Sequence, residues 1–157
     1  MPLSTGEIET IARAMHERYL SERRELGETA ETNPSLVSWD ELPEPLRESN
    51  RSFARGIEAK LPTLGWELVG EGGEEVSAPM TTAEVELLAP QEHERWRRDL
   101  EEDGWRIGSE RDPERRTHPM LIDWDQLPEA EREKDREAVR GIPALLAAAG
   151  YSVRRTR

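Results

Sequence analysis

The sequence predicts a mainly α-helical protein of two pseudo-symmetric repeats, each a pair of antiparallel helices with short β-strands, packed as one tandem domain. Three observations predict it. Pro34 to Leu68, laid without a gap on Pro119 to Val153, matches at 16 of 35 positions, among them Trp39-Asp40, Leu42-Pro43-Glu44, Arg51, Arg55-Gly56-Ile57 and Gly65. A second stretch, Ile8-Glu9 through His16-Glu17-Arg18-Tyr19, matches Val85-Glu86 through His93-Glu94-Arg95-Trp96 at an offset of 77 instead of 85, so the second copy carries eight extra residues. Within these stretches apolar residues recur at three- and four-residue steps, the helical period. The repeats run from about 4 to 69 and about 81 to 155, with a linker at about 70 to 80.

Each element has a local reason. Ser4 or Thr5 is placed to cap a first helix whose apolar face is Ile8, Ile11, Ala12, Met15, Tyr19 and Leu20, with Gly27 as its stop. The polar stretch Glu28 to Pro34 reads as a loop. Asp40 or Glu41 offers acceptors to the free N–H groups of a second helix, Pro43 suits its first turn, and Leu46, Asn50, Phe53, Ala54, Ile57, Leu61 and Leu64 trace its face to Gly65. Trp66 to Val69 alternates like a short strand. Gly70 to Pro79 has no apolar period; it lacks the lysine of a phosphate loop and carries three carboxylates, so it reads as the linker. Thr81 or Thr82 caps a third helix with Val85, Leu88, Ala89, Glu92, His93, Trp96 and Leu100 near one face. The extra loop, Gly104 to Pro113, follows. A last helix spans about Pro128 to Ala149, and Pro143 should bend it or remove one hydrogen bond. Gly56 and Gly141 fall at equivalent interior positions and suggest close backbone approach.

Composition excludes several classes. The net charge of −12 and pI near 4.8 argue against a nucleic-acid backbone or an anionic membrane as partner. The absence of Cys removes disulfides and thiolate metal sites. No apolar run is long enough to span a bilayer and the N-terminus has no signal-peptide pattern, so the expected location is the cytoplasm without membrane insertion. With 34% apolar and 36% charged residues, each repeat alone has little to bury.

The order His93-Glu94-Arg95-Trp96, Gly104-Trp105-Arg106-Ile107-Gly108, Arg111-Asp112, His118-Pro119-Met120-Leu121-Ile122, Leu127-Pro128, Asp135-Arg136 and Gly150-Tyr151 resembles the ryanodine receptor repeat domain, which also occurs in bacterial proteins, free-standing or fused. The first copy matches through His16 to Tyr19, Trp39 to Pro43, Glu48-Ser49-Asn50 and Gly65-Trp66, and lacks the Gly-Trp and Arg-Asp part of the loop. The resemblance implies a tandem helical module with no established catalysis, whose inter-repeat cleft takes an adenine nucleotide.

Candidate ligand-binding residues follow. His16 and His93 each precede an aromatic, Tyr19 or Trp96, by three residues, so imidazole and ring lie side by side. Either the aromatic stacks on a purine while His hydrogen-bonds it, or the aromatic is core and His is satisfied by a backbone carbonyl; the second reading is favoured for Tyr19 and the first for Trp96. Asn50 and Asp135 interrupt apolar stripes at equivalent positions and need a partner or a ligand. An ionised Asp135 would only accept and would repel phosphate. Arg51, Arg97, Arg98, Arg106 and Arg136 are candidate phosphate contacts, Arg51 and Arg136 foremost, against the alternative that most are solvated ion pairs with the surrounding Glu and Asp. Trp39 and Trp124 read as core anchors at the helix entries, and Trp105 as a cleft residue. No zinc helix, nucleophile elbow or lysine-bearing phosphate loop is present. The expectation is a non-enzymatic small-ligand module needing no cofactor beyond an adenine-nucleotide ligand. The alternative is an acidic adaptor that docks a protein partner.

Overall fold

The computed structural model describes residues 3–70 and 79–155, and it is mainly helical. The chain divides into two compact units. One comprises Met1–Pro79 with Gly141–Arg157, the other Met80–Arg140. Most of the expected linker, residues 71–78, lies outside the described residues.

In the first unit, α1 (Thr5–Glu25) opens on a capping box: the Ser4 side chain accepts from the Glu7 N–H, and the Glu7 carboxylate accepts from the Ser4 N–H. It ends at Gly27, whose φ of +85° suits glycine. α2 (Glu44–Leu64) returns alongside, as contacts from Leu3 to Glu58 and from Glu9 to Arg51 run in opposite senses along the two helices. The expected cap at Asp40 or Glu41 is corrected. Trp39–Glu41 forms a separate 3-10 turn, and α2 starts from Pro43 without a side-chain cap. Ile11, Ala12 and Leu20 of α1 and Phe53, Ala54, Ile57 and Leu61 of α2 are buried with Trp39 and Leu42. Each large side chain contributes roughly 1.5–3 kcal/mol.

The last expected helix is two helices. α4 (Glu129–Arg140) stops and α5 (Ile142–Ala148) begins around Gly141, with Pro143 in the first turn of α5 where its missing N–H costs nothing. α5 packs on α1 in the first unit and buries Ile142, Leu145 and Leu146. The strand expected at β1 (Trp66–Val69) is present, and its partner is β4 (Ser152–Arg155), antiparallel, with Leu68 opposite its own repeat counterpart Val153. The Arg155 guanidinium lies 4.9 Å from the Trp66 ring and Arg154 pairs with Glu67. The expected close approach at Gly56 is not between elements. A Cβ there would meet Lys60 Nζ of the same helix at 3.0 Å.

In the second unit, α3 (Thr82–Glu102) has the same capping box through Thr81 and Glu84, and α4 packs beside it. Val85, Leu88, Ala89, Leu121, Leu127 and Val139 are buried, as are Glu92 and His93. Trp39 is a buried anchor as expected, whereas Trp124 is half-buried with the Arg132 and Arg136 guanidiniums 5.6 and 5.7 Å from its ring.

Candidate functional site

Both helical hairpins are fastened by the same polar contacts. His16 Nε2 lies 2.7 Å from the Val37 carbonyl and His93 Nε2 lies 2.6 Å from that of Ile122. A carbonyl only accepts, so each Nε2 carries the proton. Both imidazoles are buried, and that donor is committed inside the hairpin. Arg51 is clamped by Glu9 at 2.7 Å and Glu44 at 2.5 Å and lies 5.6 Å from the Trp39 ring. Arg136 is clamped in the same way by Glu86 at 2.7 Å and by Glu129. Glu48 at 3.7 Å from Arg51 and Glu133 at 3.5 Å from Arg136 bring each guanidinium to three carboxylates, so a phosphate would have to displace one. Arg97 is held at 2.7 Å by Asp123, with Glu94 and Glu101 nearby.

The aromatics at the two equivalent positions differ. Tyr19 is filled in by its own unit: its hydroxyl accepts from Asn33 Nδ2 at 2.8 Å, and Arg23 covers the ring at 5.6 Å. Asn50 is half-buried, with no side-chain partner among the described residues. The position in α3 corresponding to Arg23 is Leu100, so no guanidinium covers Trp96. Trp96 instead joins a ring cluster. His93 stacks beside it at 5.6 Å, His118 meets it edge-on at 4.9 Å, and Trp105 lies 6.5 Å from His118. Trp96, Trp105 and His118 are all half-buried.

The extra residues of the second repeat hold this cluster. Gly104, at φ +90°, ends α3, and the Trp105 N–H returns to the Leu100 carbonyl. β2 (Arg106–Ile107) then pairs in parallel with β3 (Thr117–His118). Asp112 Oδ1 accepts from the N–H groups of Glu114 and Arg115, and Asp112 exchanges both backbone bonds with Thr117. Arg116 adopts a left-handed φ of 56° and returns its guanidinium to the Asp103 carbonyl at the end of α3. A Cβ on Gly108 would stand 2.6 Å from Thr117 Cβ. Gly108→Ala is therefore expected to lose about 1–3 kcal/mol in urea unfolding and to loosen the loop.

This loop presents Arg106 and Arg111, both exposed and without an ion-pair partner among the described residues. Most arginines elsewhere are paired. Burial, reinforced by the Arg111 charge, pushes His118 below its ordinary imidazole value.

Beneath the cluster lies a buried polar group. Arg95 binds Glu92 twice, at 2.9 and 2.7 Å, and Asp99 at 3.0 Å. Asp135 Oδ2 lies 3.6 Å from His93 Nδ1. Burial, with the Glu92 carboxylate adding to it, pushes Asp135 up to about 8. That shift favours the neutral carboxyl, which both donates and accepts as Asn50 does at the equivalent position, over the ionised form that only accepts.

Among the predicted residues, the structure brings together His93, Trp96, Trp105 and Asp135 in the second unit, while His16, Tyr19, Asn50 and Arg51 belong to the first. Sequence reasoning passed over His118, Arg111, Glu92 and Arg95 as site residues. The His118-Pro119 step was legible as a motif, but nothing local says that its ring meets Trp96.

The family model of the RyR domain matches residues 76–155, half of the chain. The chain belongs to the RyR domain family. The matched stretch contains the second repeat of this RyR domain protein, with the ring cluster and the Arg106 to Arg116 loop. No described helix is long and apolar enough to cross a membrane. Among the described residues no group of three His, Cys, Asp or Glu side chains is placed to hold a metal ion.

Proposed function

We propose that this RyR domain protein is a non-enzymatic binding module whose second repeat holds an adenine nucleotide, or a related planar anion, against Trp96, Trp105 and His118. One observation carries the reading: half-buried rings share a loop with two exposed arginines, Arg106 and Arg111, that have no ion-pair partner among the described residues, and the Arg111 charge is felt at His118, in a chain of net charge −12. Indole faces suit a purine, at about 1–3 kcal/mol per stacked base, and guanidiniums suit phosphate. The rigid ladder of Asp112 and Thr117 positions them before a ligand arrives, which lowers the entropic cost of binding.

The two hairpins read as pseudo-symmetric copies of one ancestral unit. Matching capping boxes, His-to-carbonyl fasteners and arginine clamps support this, as does the pairing of Leu68 with Val153. The copies have diverged in use: Arg23 and Asn33 close over Tyr19, while Trp96 is left for a ligand.

The test is thermal unfolding of the purified chain with ATP, ADP, AMP, NAD or cyclic ADP-ribose. A ligand at about 100 times its Kd adds roughly 2.7 kcal/mol, a midpoint rise of about 5–10 °C for this size. The rise is expected to shrink in Trp96→Ala and in the Arg106→Gln/Arg111→Gln double variant, and to fall with salt. No shift with any adenine compound would reject the reading and leave the acidic adaptor, sought by its protein partner.

A further inference from the structure

We propose that His118 is the residue that reads the ligand's ring: it donates its Nε2 proton to an in-plane acceptor atom and so selects nitrogen heteroaromatics over plain aromatic rings. This rests on the ligand-binding reading above. The Met120 N–H donates to His118 Nδ1 at 3.1 Å, so Nδ1 must present its lone pair. A neutral imidazole has one ring proton, and that proton is then on Nε2. Protonating Nδ1 would break the Met120 bond, in the same direction as the burial and the Arg111 charge that hold this ring neutral. Glu131 favours the charged form and Lys134 opposes it, both as smaller effects.

The Nε2 proton is unclaimed. It has no partner among the described residues, and Nε2 is not among the side-chain atoms sealed from solvent without a partner. His16 and His93 spend the same donor on backbone carbonyls, so His118 is the one histidine left with a donor to offer. Its ring stands at 81° to Trp96, 4.9 Å away, and at 53° to Trp105. A ring stacked on Trp96 that carries an acceptor atom in its plane can meet a donor held on a ring at this angle to the indole. Stacking alone accepts any flat ring. A directed donor adds the requirement for an acceptor in the ring plane.

The experiment is calorimetric titration of the full chain with ATP and with its 1-deaza, 3-deaza and 7-deaza analogues, each lacking one ring acceptor. His118→Phe keeps a flat ring and removes the donor, whereas His118→Gln keeps an N–H. His118→Phe is expected to bind ATP about tenfold more weakly and His118→Gln to stay within about threefold of wild type. One deaza analogue is expected to bind wild type about tenfold more weakly than ATP and to show no such deficit against His118→Phe. Unchanged ATP binding by a folded His118→Phe, or equal binding of ATP and all three analogues by wild type, would overturn the role of His118 while leaving the ligand site standing. Failure of wild type to bind ATP at all would overturn the site and this role with it.

Discussion

Arg95→Met is expected to lower unfolding stability by about 3–5 kcal/mol, the usual cost of removing one member of a buried ion pair. The Glu92 side chain is only 5% exposed and its two oxygens are taken by Arg95. Without that guanidinium the carboxylate has no ion-pair partner among the described residues, and the nearby Asp135 loses the larger of the two charges, Arg95 and Lys134, that favour its ionised form. The first repeat shows the remedy, because Met15 stands where the second repeat has Glu92. Adding Glu92→Met to Arg95→Met removes the stranded charge, and the double variant is expected within about 1 kcal/mol of wild type. Urea unfolding followed by tryptophan fluorescence measures both. Equal losses in the single and double variants would show that Arg95 acts through packing of its stem and not through Glu92.

The second large effect depends on pH. Asp135 is raised from an ordinary carboxylate value to about 8 by burial, then by Glu92 and Glu131, against Arg95 and Lys134. The folded state therefore holds this proton where the unfolded chain has released it, so the contribution is complete below about pH 4 and declines as pH rises toward 8. Asp135→Asn keeps the shape and both hydrogen-bonding roles and has nothing to titrate. At pH 8 it is expected to exceed wild type by on the order of 3 kcal/mol, and at pH 4 to match it closely. His118 acts in the opposite sense, since a lowered imidazole gains stability as pH rises through its window. Comparing the two proteins at each pH cancels that term. A stability difference independent of pH would overturn this, because Asp135 would then take up no extra proton on folding.

Much of the helical content was legible because its causes are local. Ser4 with Glu7 and Thr81 with Glu84 announce helix starts through side chains three residues apart, and Gly27 and Gly65 mark ends by their left-handed backbone. The cap expected at Asp40 failed because the repeated Trp-Asp turn closes on itself, with the Leu42 N–H returning to the Trp39 carbonyl before α2 begins. Pro143 was correctly read as a disturbance, but a bend and a break share one local signal. What decides for a break is where the following residues find their burial, and α5 finds it on α1.

The site divides in the same way. The pairing of His93 with Trp96 follows from three-residue spacing on a helix and was readable. The approach of His118 to Trp96 from 22 positions away was not; a carbonyl partner for each histidine and ion pairing of Arg51 and Arg136 were readings the sequence left open, and the fold decided for them. The sequence by itself determined the family, the starts of the first and third helices and the chemical types available near the second hairpin, since those are properties of residues a few positions apart. Only the tertiary structure decided which charges are spent and which are left. A guanidinium looks the same in sequence whether three carboxylates face it, as at Arg136, or none among the described residues does, as at Arg111, and the upward shift of Asp135 depends on water excluded by elements that meet only in the fold.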